Sequence, residues 1–407
     1  MSAIRLYFKE LRSIISNELR TIFQDEGVLL IVVFAPLIYA TIYSFAYSTQ
    51  VLRDVPVGII DMSHTPSSRH LIQMIDIGPN TMVAYEAIDM EEARRLFYDR
   101  KIYSILYIPA DYEQNILGGK SANVAIYLDA SYMLMYRQAF EEMAASISAI
   151  GAKVEFNHLI AEGANIPQAI TVTEPIIYQS HTLFNPYLGY GTFVMPPVMM
   201  LILQQTLLIG IGMIGGTWRE NRLYKKLIPQ GCARLHTFPI IFGRSIVYFA
   251  IYSLLLYYLL HVHYKIFNYP MNGTIGAIIL FLAIYLFSCI LFALAISTIF
   301  RRRESSLMFL LWSSIPLLMM SGVSYPHEAM PEWLRYLSNI FPSTFGTMGF
   351  VKIATKGASI YEVLPEIRSL TILIVIYLVF ACLSVSRLCH NACTINEMPP
   401  QPPSTDS

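Results

Sequence analysis

The segment from Asn115 to Ser121 ends in Gly-Gly-Lys-Ser, the residues with which a phosphate-binding loop closes. That loop also needs a glycine five residues before its second glycine, and Gln114 stands at this position. Gly118 and Gly119 are explained more simply as the turn that ends a helix. We therefore expect no nucleotide site in this segment.

Histidines and cysteines are the next candidates for chemistry. His261 and His263 flank one residue, but a metal site needs three or four ligands in tetrahedral reach, and no acid or cysteine is nearby in the sequence. Cys389, His390 and Cys393 form a better pattern, although reduced thiols at a membrane boundary explain it more simply. The chain also has no HExxH and no GxSxG motif. We therefore expect no catalytic residue and no metal.

Polar residues inside uncharged runs carry more information, because hydrocarbon cannot satisfy them. Gln204 and Gln205 lie in the middle of one run. Tyr39, Tyr43 and Tyr47 form a stripe at intervals of four residues in another. These side chains are candidates for the lining of a polar path, with Tyr39, Tyr43, Gln204 and Gln205 as its members. The alternative is that they join neighbouring helices by hydrogen bonds and packing.

The uncharged runs define the class of the protein. Of its 407 residues, 55% are hydrophobic and 14% are charged, whereas a soluble domain is about one quarter charged. A bilayer core about 30 Å thick needs about 20 apolar residues of helix. The runs predict six membrane spans at roughly 28–49, 187–214, 243–262, 273–299, 306–325 and 369–388. The chain is thus expected to be an α-helical integral membrane protein with six transmembrane helices.

Short loops rich in Lys and Arg predict the orientation of the spans. The basic segments are the N-terminal segment, the loop after span two and the loop after span four. Both termini are therefore expected to be cytoplasmic, and residues 50–185 to lie outside. The predicted parts are a cytoplasmic amphipathic helix in 1–26, the first span in 27–49, the outer domain in 50–185, spans two to six in 186–390, and a cytoplasmic tail in 391–407. The amphipathic helix, at 3–24, either lies on lipid or packs on protein. The zero net charge gives no indication of nucleic acid as a partner.

The outer segment reads as an extracytoplasmic α/β domain inserted between helices one and two. Strands are predicted at 55–60, 82–85, 103–108, 124–129 and 170–178, and helices at 67–75, 90–100, 110–117 and 133–164. The long last helix has an apolar stripe that covers either the domain's own core or a second copy of the chain. None of the five cysteines lies in this domain, so its own core must stabilise it.

Residues 320–353 read MSGVSYPHEAMPEWLRYLSNIFPSTFGTMGFVKI. A short helix after Pro331 and a second apolar stretch after Pro342 are too short to cross a membrane and too apolar for water. Such a pair is expected to dip into the outer leaflet as a re-entrant segment near 326–350. Its marker residues are Pro326, Pro331, Trp333, Leu337 and Pro342.

This arrangement resembles export-type ABC transporter permeases of the type-2 family. The resemblance rests on the "MPxWL" and "LS" residues bounded by prolines, the six spans, the amphipathic entry helix and the inserted domain. In such permeases the loop after span two carries an "ERExGT" signature that docks the ATPase. The matching stretch here is 217–223, and a short helix is expected at 223–228. The implied coupling residues of this loop are Trp218, Arg219, Glu220, Arg222, Lys225 and Lys226. Arg219-Glu220 fits the signature, whereas its glycine and threonine are not matched.

The resemblance implies a permease subunit in the bacterial inner membrane that moves an amphipathic or hydrophobic substrate outward. Its implied partners are cytoplasmic ABC ATPase subunits, a second permease copy or paralogue, membrane lipid, a periplasmic adaptor and an outer-membrane channel. ATP and Mg would bind the ATPase, and this chain would hold no cofactor. Two alternatives are a membrane receptor or scaffold whose outer domain binds a ligand or a periplasmic partner, and a membrane-embedded enzyme.

Overall fold

The chain forms two compact units. The computed structural model describes residues 3–176, 179–221 and 237–394, with side chains from residue 7 to residue 388 in these ranges. Residues Met1–Gln50 and Thr182–Ser407 make up the first unit, which we call the helical unit. Residues Val51–His181 make up the second, the inserted domain.

The N-terminal helices belong to the helical unit. Helix α1, Ala3–Gln24, has the predicted bounds and an apolar stripe in which Ile14 and Ile22 are buried. Helix α2, Glu26–Ala46, follows directly and contains a π-helical segment at Leu30–Phe34. One face of α1 thus packs on protein, as one of the two sequence alternatives held.

The inserted domain has a four-stranded sheet. Its strands are β1, Val55–Asp61, β2, Thr81–Glu86, β3, Ser104–Ile108, and β4, Ala125–Leu128. The order is β2-β1-β3-β4, in which β1 is parallel to both neighbours and β4 is antiparallel to β3. The α3 and α4 connections, Pro66–Ile77 and Met90–Tyr98, join the parallel strands and make the domain an α/β fold.

Helices cover both faces of this sheet. On one face, α3, the short α5 (Tyr112–Leu117) and the long α6 (Met133–Ala161) pack on Val57 and Ile59 of β1. On the other face, α4 packs on alternate residues of β1 and β3. Met143 of α6 is fully buried in the domain's own core, while Phe140 is 44% exposed. The apolar stripe of α6 therefore covers the sheet of its own domain.

The predicted strand at 170–178 is wrong. Residues Ile166–Thr173 form a helix, α7. Asn165 caps it by accepting a hydrogen bond from the Gln168 N–H, Gln168 bonds back to Asn165, and Pro167 stands in the first turn. This capping box outweighs the β-branched residues that suggested a strand. Residues 177 and 178 lie outside the described ranges.

The remaining helices complete the helical unit. They are α8, Tyr190–Glu220, α9, Thr237–Ile266, α10, Ile275–Ser297, α11, Arg303–Met320, α12, Glu332–Ser338, α13, Pro342–Phe350, and α14, Leu364–Thr394. Five described helices are long and apolar enough to cross a membrane: α2, α8, α9, α10 and the part of α14 from Leu364 to Leu388. Helix α11 covers most of the predicted span 306–325, but it is not among these five.

Helix α8 lies at the centre of the helical unit, because 89% of its most apolar segment is buried. It packs against α2, α10, α11 and α13. Close approach depends on glycine, since a Cβ added at Gly216 would lie 2.7 Å from the Arg302 carbonyl oxygen. Pro196 and Pro197 lie inside α8 without ending it, which a helix enclosed by others tolerates.

The two sides of α6 make the packing of the inserted domain testable. Replacing Met143 with Ala leaves a cavity in the core, for which we expect a loss of about 2–5 kcal/mol in domain stability. Phe140→Ala on the exposed side of the same helix is the matched control, with a smaller expected loss. Pulse proteolysis of the full chain in urea measures both. A larger loss for Phe140→Ala would mean that α6 packs chiefly against another molecule.

Candidate coupling site

The ends of four helices meet beside the segment that the sequence marked for ATPase docking. Asp25 caps α2 by accepting a hydrogen bond of 3.1 Å from the Val28 N–H. The Arg303 guanidinium at the start of α11 holds both oxygens of the Asp25 carboxylate, with 2.8 Å between Nη2 and Oδ1. This two-point ion pair ties the start of α2 to the start of α11.

The last residues of α8 connect this helix to α10 and α11. Arg219 Nη1 donates a 2.7 Å hydrogen bond to the carbonyl oxygen of Thr298, at the C-terminal end of α10. A cation is favoured at that end of a helix. Glu220 Oε2 lies 3.5 Å from the backbone nitrogen of Arg303, at the N-terminal end of α11, where a carboxylate is favoured. We call Asp25, Arg219, Glu220 and Arg303 the coupling junction.

A buried ion pair lies between α1 and α9. Arg244 Nε donates a 2.9 Å hydrogen bond to Glu18 Oε1, and both side chains are nearly inaccessible to solvent, at 3% and 0% exposure. The Tyr248 hydroxyl donates a second bond of 2.8 Å to the same oxygen. The Arg244 guanidinium also lies over the Trp218 ring of α8, 4.5 Å from its centre. A charged group is thereby paired and stacked in a buried place.

Three of the predicted docking residues, Trp218, Arg219 and Glu220, are brought together with these charges. The other three, Arg222, Lys225 and Lys226, lie outside the described residues. Their role stays a prediction.

The two adjacent glutamines make different contacts. Gln204 is buried, and its amide both donates to Ser343 Oγ at 3.0 Å and accepts from the Ser343 N–H at 2.7 Å. It therefore joins the middle of α8 to the first turn of α13. Gln205 is less buried and donates to Ser314 Oγ of α11 at 2.7 Å. The structure shows interhelical bonding for both, most fully for Gln204, and a substrate path stays a prediction.

The other predicted residues lie at exposed surfaces or helix starts. Tyr39 and Tyr43 are 47% and 41% exposed on α2. Trp333 and Leu337 are exposed on α12, so the described residues leave the face expected to be embedded uncovered. Pro326, Pro331 and Pro342 begin a 3-10 turn, α12 and α13.

Sequence reasoning missed the charged pairs. The predicted span three starts at residue 243, which put Arg244 at its edge. The observed helix begins at Thr237, which places the buried Arg244 a full two turns inside it. A signal was present, because Glu18 falls four residues from both Ile14 and Ile22 on the apolar face of α1. Asp25 directly before an apolar run likewise fits a helix cap.

The candidate metal residues whose side chains are described form no metal site. Among the described residues, no three His, Cys, Asp or Glu side chains are placed to hold a metal ion. His263 bonds the Ala40 carbonyl oxygen at 3.2 Å, and His261 bonds the Tyr257 carbonyl oxygen. Residues 389–393 have side chains outside the described set. Gly118 ends α5 and Gly119 adopts a positive φ of 66°, the helix-ending turn that was expected.

The Asp25–Arg303 pair gives the junction a pH dependence. The hydrogen bonds from Arg303 lower the pKa of Asp25 from its ordinary value, against the opposing effect of burial. A carboxyl group with a lowered folded pKa contributes stability above its unfolded pKa, about 3.9, and that stability is lost as the pH falls through the folded value. Thus Asp25→Asn should lower the melting temperature at pH 7, and the difference from the wild type should shrink as the pH falls below about 4 and vanish below the folded pKa of Asp25.

Asp99→Asn is the control for this test, because Asp99 forms only an exposed pair with Lys101. It should leave the melting temperature at pH 7 unchanged. A difference between Asp25→Asn and the wild type that stays constant down to pH 3 would contradict a charged pair at this position.

The contacts of Gln204 predict a second difference. Gln204→Leu leaves the Ser343 N–H and hydroxyl buried without this partner, at a cost of about 1–3 kcal/mol for each group. Gln205→Leu removes one bond to a less buried serine, so its loss should be smaller. Melting temperatures in detergent give the comparison, and equal losses would rule out Gln204 as the stronger link to α13.

Comparison with known proteins identifies the family of this chain. The sequence profile of the ABC-2 family transporter proteins matches residues 27–383. The "Probable multidrug ABC transporter permease YbhR" of Escherichia coli K12 is 21% identical over 357 residues, which cover 87% of this chain and 92% of the relative. The "Inner membrane transport permease YhhJ" of the same strain is 23% identical over 365 residues, covering 87% and 91%. The "ABC transporter G family member 20" of Dictyostelium discoideum is 23% identical over 209 residues, covering 51% and 28%. The chain therefore belongs to the ABC-2 family of transporter proteins and is a multi-pass membrane permease.

Proposed function

We propose that this permease is the transmembrane subunit of an ATP-driven exporter that works with a separate ATPase subunit. The observation that carries the proposal is the family match over residues 27–383, which includes α2, the inserted domain and the helices as far as α14. The substrate is amphipathic or hydrophobic. A relative with "multidrug" in its name supports this substrate class.

In this proposal the ATPase binds the segment that follows α8. The coupling junction supports this position, because Arg219 and Glu220 at the end of α8 connect to α10 and α11. A force on the end of α8 would therefore reach several helices. ATP and Mg bind the partner, and this chain contributes the docking surface.

The proposed topology has six crossings with both termini in the cytoplasm. Helix α11 is the fifth span along the chain and is added to the five candidates given above. Its 18 residues extend about 27 Å at 1.5 Å each, close to the thickness of the bilayer core. Arg301, Arg302 and Arg303 at its start favour a cytoplasmic position for that end. The inserted domain then faces outward and meets a periplasmic adaptor that leads to an outer-membrane channel.

A second permease copy or a paralogue completes the pore. Tyr39, Tyr43 and Gln205 are the proposed lining of the substrate path, because the two tyrosines are exposed in the single chain and Gln205 is less enclosed than Gln204. Gln204 positions α13, which together with α12 forms the re-entrant segment at the outer mouth.

The docking segment offers the sharpest test of the proposed function. Reversing both charges in Lys225→Glu/Lys226→Glu should weaken co-purification of the ATPase without unfolding the inserted domain, because the docking surface loses its positive charge. Arg94→Glu/Arg95→Glu on the exposed face of α4 is the matched control and should leave co-purification unchanged. Unchanged association of the ATPase in the lysine variant would remove this loop as the docking site.

A further inference from the structure

The interface between α1 and α9 would hold without a buried ion pair. Ile14 and Ile22 bury apolar surface one turn on either side of Glu18. Gly243 lets Ile14 approach closely, since an added Cβ would lie 2.9 Å from the Ile14 side chain. Burying two charges carries a desolvation cost, and apolar replacements of such pairs are often neutral or stabilising. The Glu18–Arg244 pair is therefore not explained by adhesion of α1 alone.

The position of Arg244 indicates another role. It belongs to α9, it bonds Glu18 of α1, and its guanidinium stacks on Trp218 of α8. Trp218 lies two residues before the end of α8, next to the proposed ATPase docking segment. The Arg244 guanidinium of α9 thus contacts both α1 and α8, close to the end of α8 on which the ATPase would act.

We propose that Glu18 and Arg244 are positioning residues that pass a displacement of the end of α8 to α1 and α9. This inference rests on the proposed function, because the displacement comes from an ATPase bound after α8. Glu18 accepts from both Arg244 and Tyr248, one turn apart on α9, which fixes the register of α1 along that helix. Sliding of α1 would break bonds to a buried charge, so the three helices move together.

Apolar contacts alone would not give the same coupling. They are non-directional and permit small shifts of one helix along another. A buried charge pair keeps a single geometry, since separation leaves an uncompensated charge in a low dielectric. The pair therefore holds α1 and α9 in one fixed position relative to each other.

The test uses the permease purified with its ATPase partner. Hydrogen exchange in residues 327–341, far along the chain from the docking segment, is measured with and without ATP and vanadate. In the wild type we expect vanadate trapping to change exchange there. In Glu18→Met/Arg244→Met we expect that change to fall about tenfold, while the melting temperature and the bound ATPase are retained. Arg137→Met/Glu141→Met, which removes an exposed pair of the inserted domain, should respond like the wild type.

A second variant covers the case in which the double methionine variant does not fold. Tyr248→Phe keeps the ion pair but removes the second hydrogen bond that fixes the register of α1, and it should lose the same response. A full response in either folded variant overturns the inference and leaves the proposed function standing. A wild-type complex without any response overturns the inference as well. A wild type that carries no ATPase overturns the proposed function first, and the inference with it.

Discussion

The helical unit depends on the pairing of the charged side chains that lie within its largely apolar bundle. A charged side chain removed from water must find a partner, and here each buried or half-buried charge near the ends of α1, α2 and α8 does so. Glu18 pairs with Arg244, and Asp25 pairs with Arg303. Because the partners come from different helices, the pairing fixes which helix ends lie side by side. The segment after α8 therefore begins at a place where six helices, α1, α2 and α8–α11, are tied together.

The inserted domain is stabilised in a different way. Its sheet is covered by helices on both faces, and its core contains no cysteine. Met143 and its neighbours on α6 bury the stripe that would otherwise need a partner molecule. The domain is thus stabilised by its own apolar core, and its exposed surface is free for the binding role that we propose.

Local patterns in the sequence predicted much of this architecture. Apolar runs and strand alternation located the membrane helices, α1 and the four strands of the sheet, because these features depend on short-range periodicity. The strand at 170–178 failed because a capping box at Asn165 and Gln168 outweighs strand propensity. The charged pairs could not be predicted, since Glu18 and Arg244 are 226 residues apart and only the folded bundle joins them. Gln204 was found by its polarity, but its partner Ser343 was not, for the same reason.

In the topology that we propose, the inserted domain faces outward and the coupling junction is cytoplasmic. The direct measurement is labelling with a thiol reagent that does not cross membranes, applied to cells whose inner membrane is intact. Tyr98, 86% exposed on α4, is replaced by cysteine in a chain whose five native cysteines have first been replaced by alanine. We expect the cysteine of Tyr98→Cys to react in intact cells, whereas that of Ser16→Cys on the exposed face of α1 should react only after lysis. Reaction of the Tyr98→Cys thiol only after lysis would place the inserted domain in the cytoplasm and rule out the proposed topology.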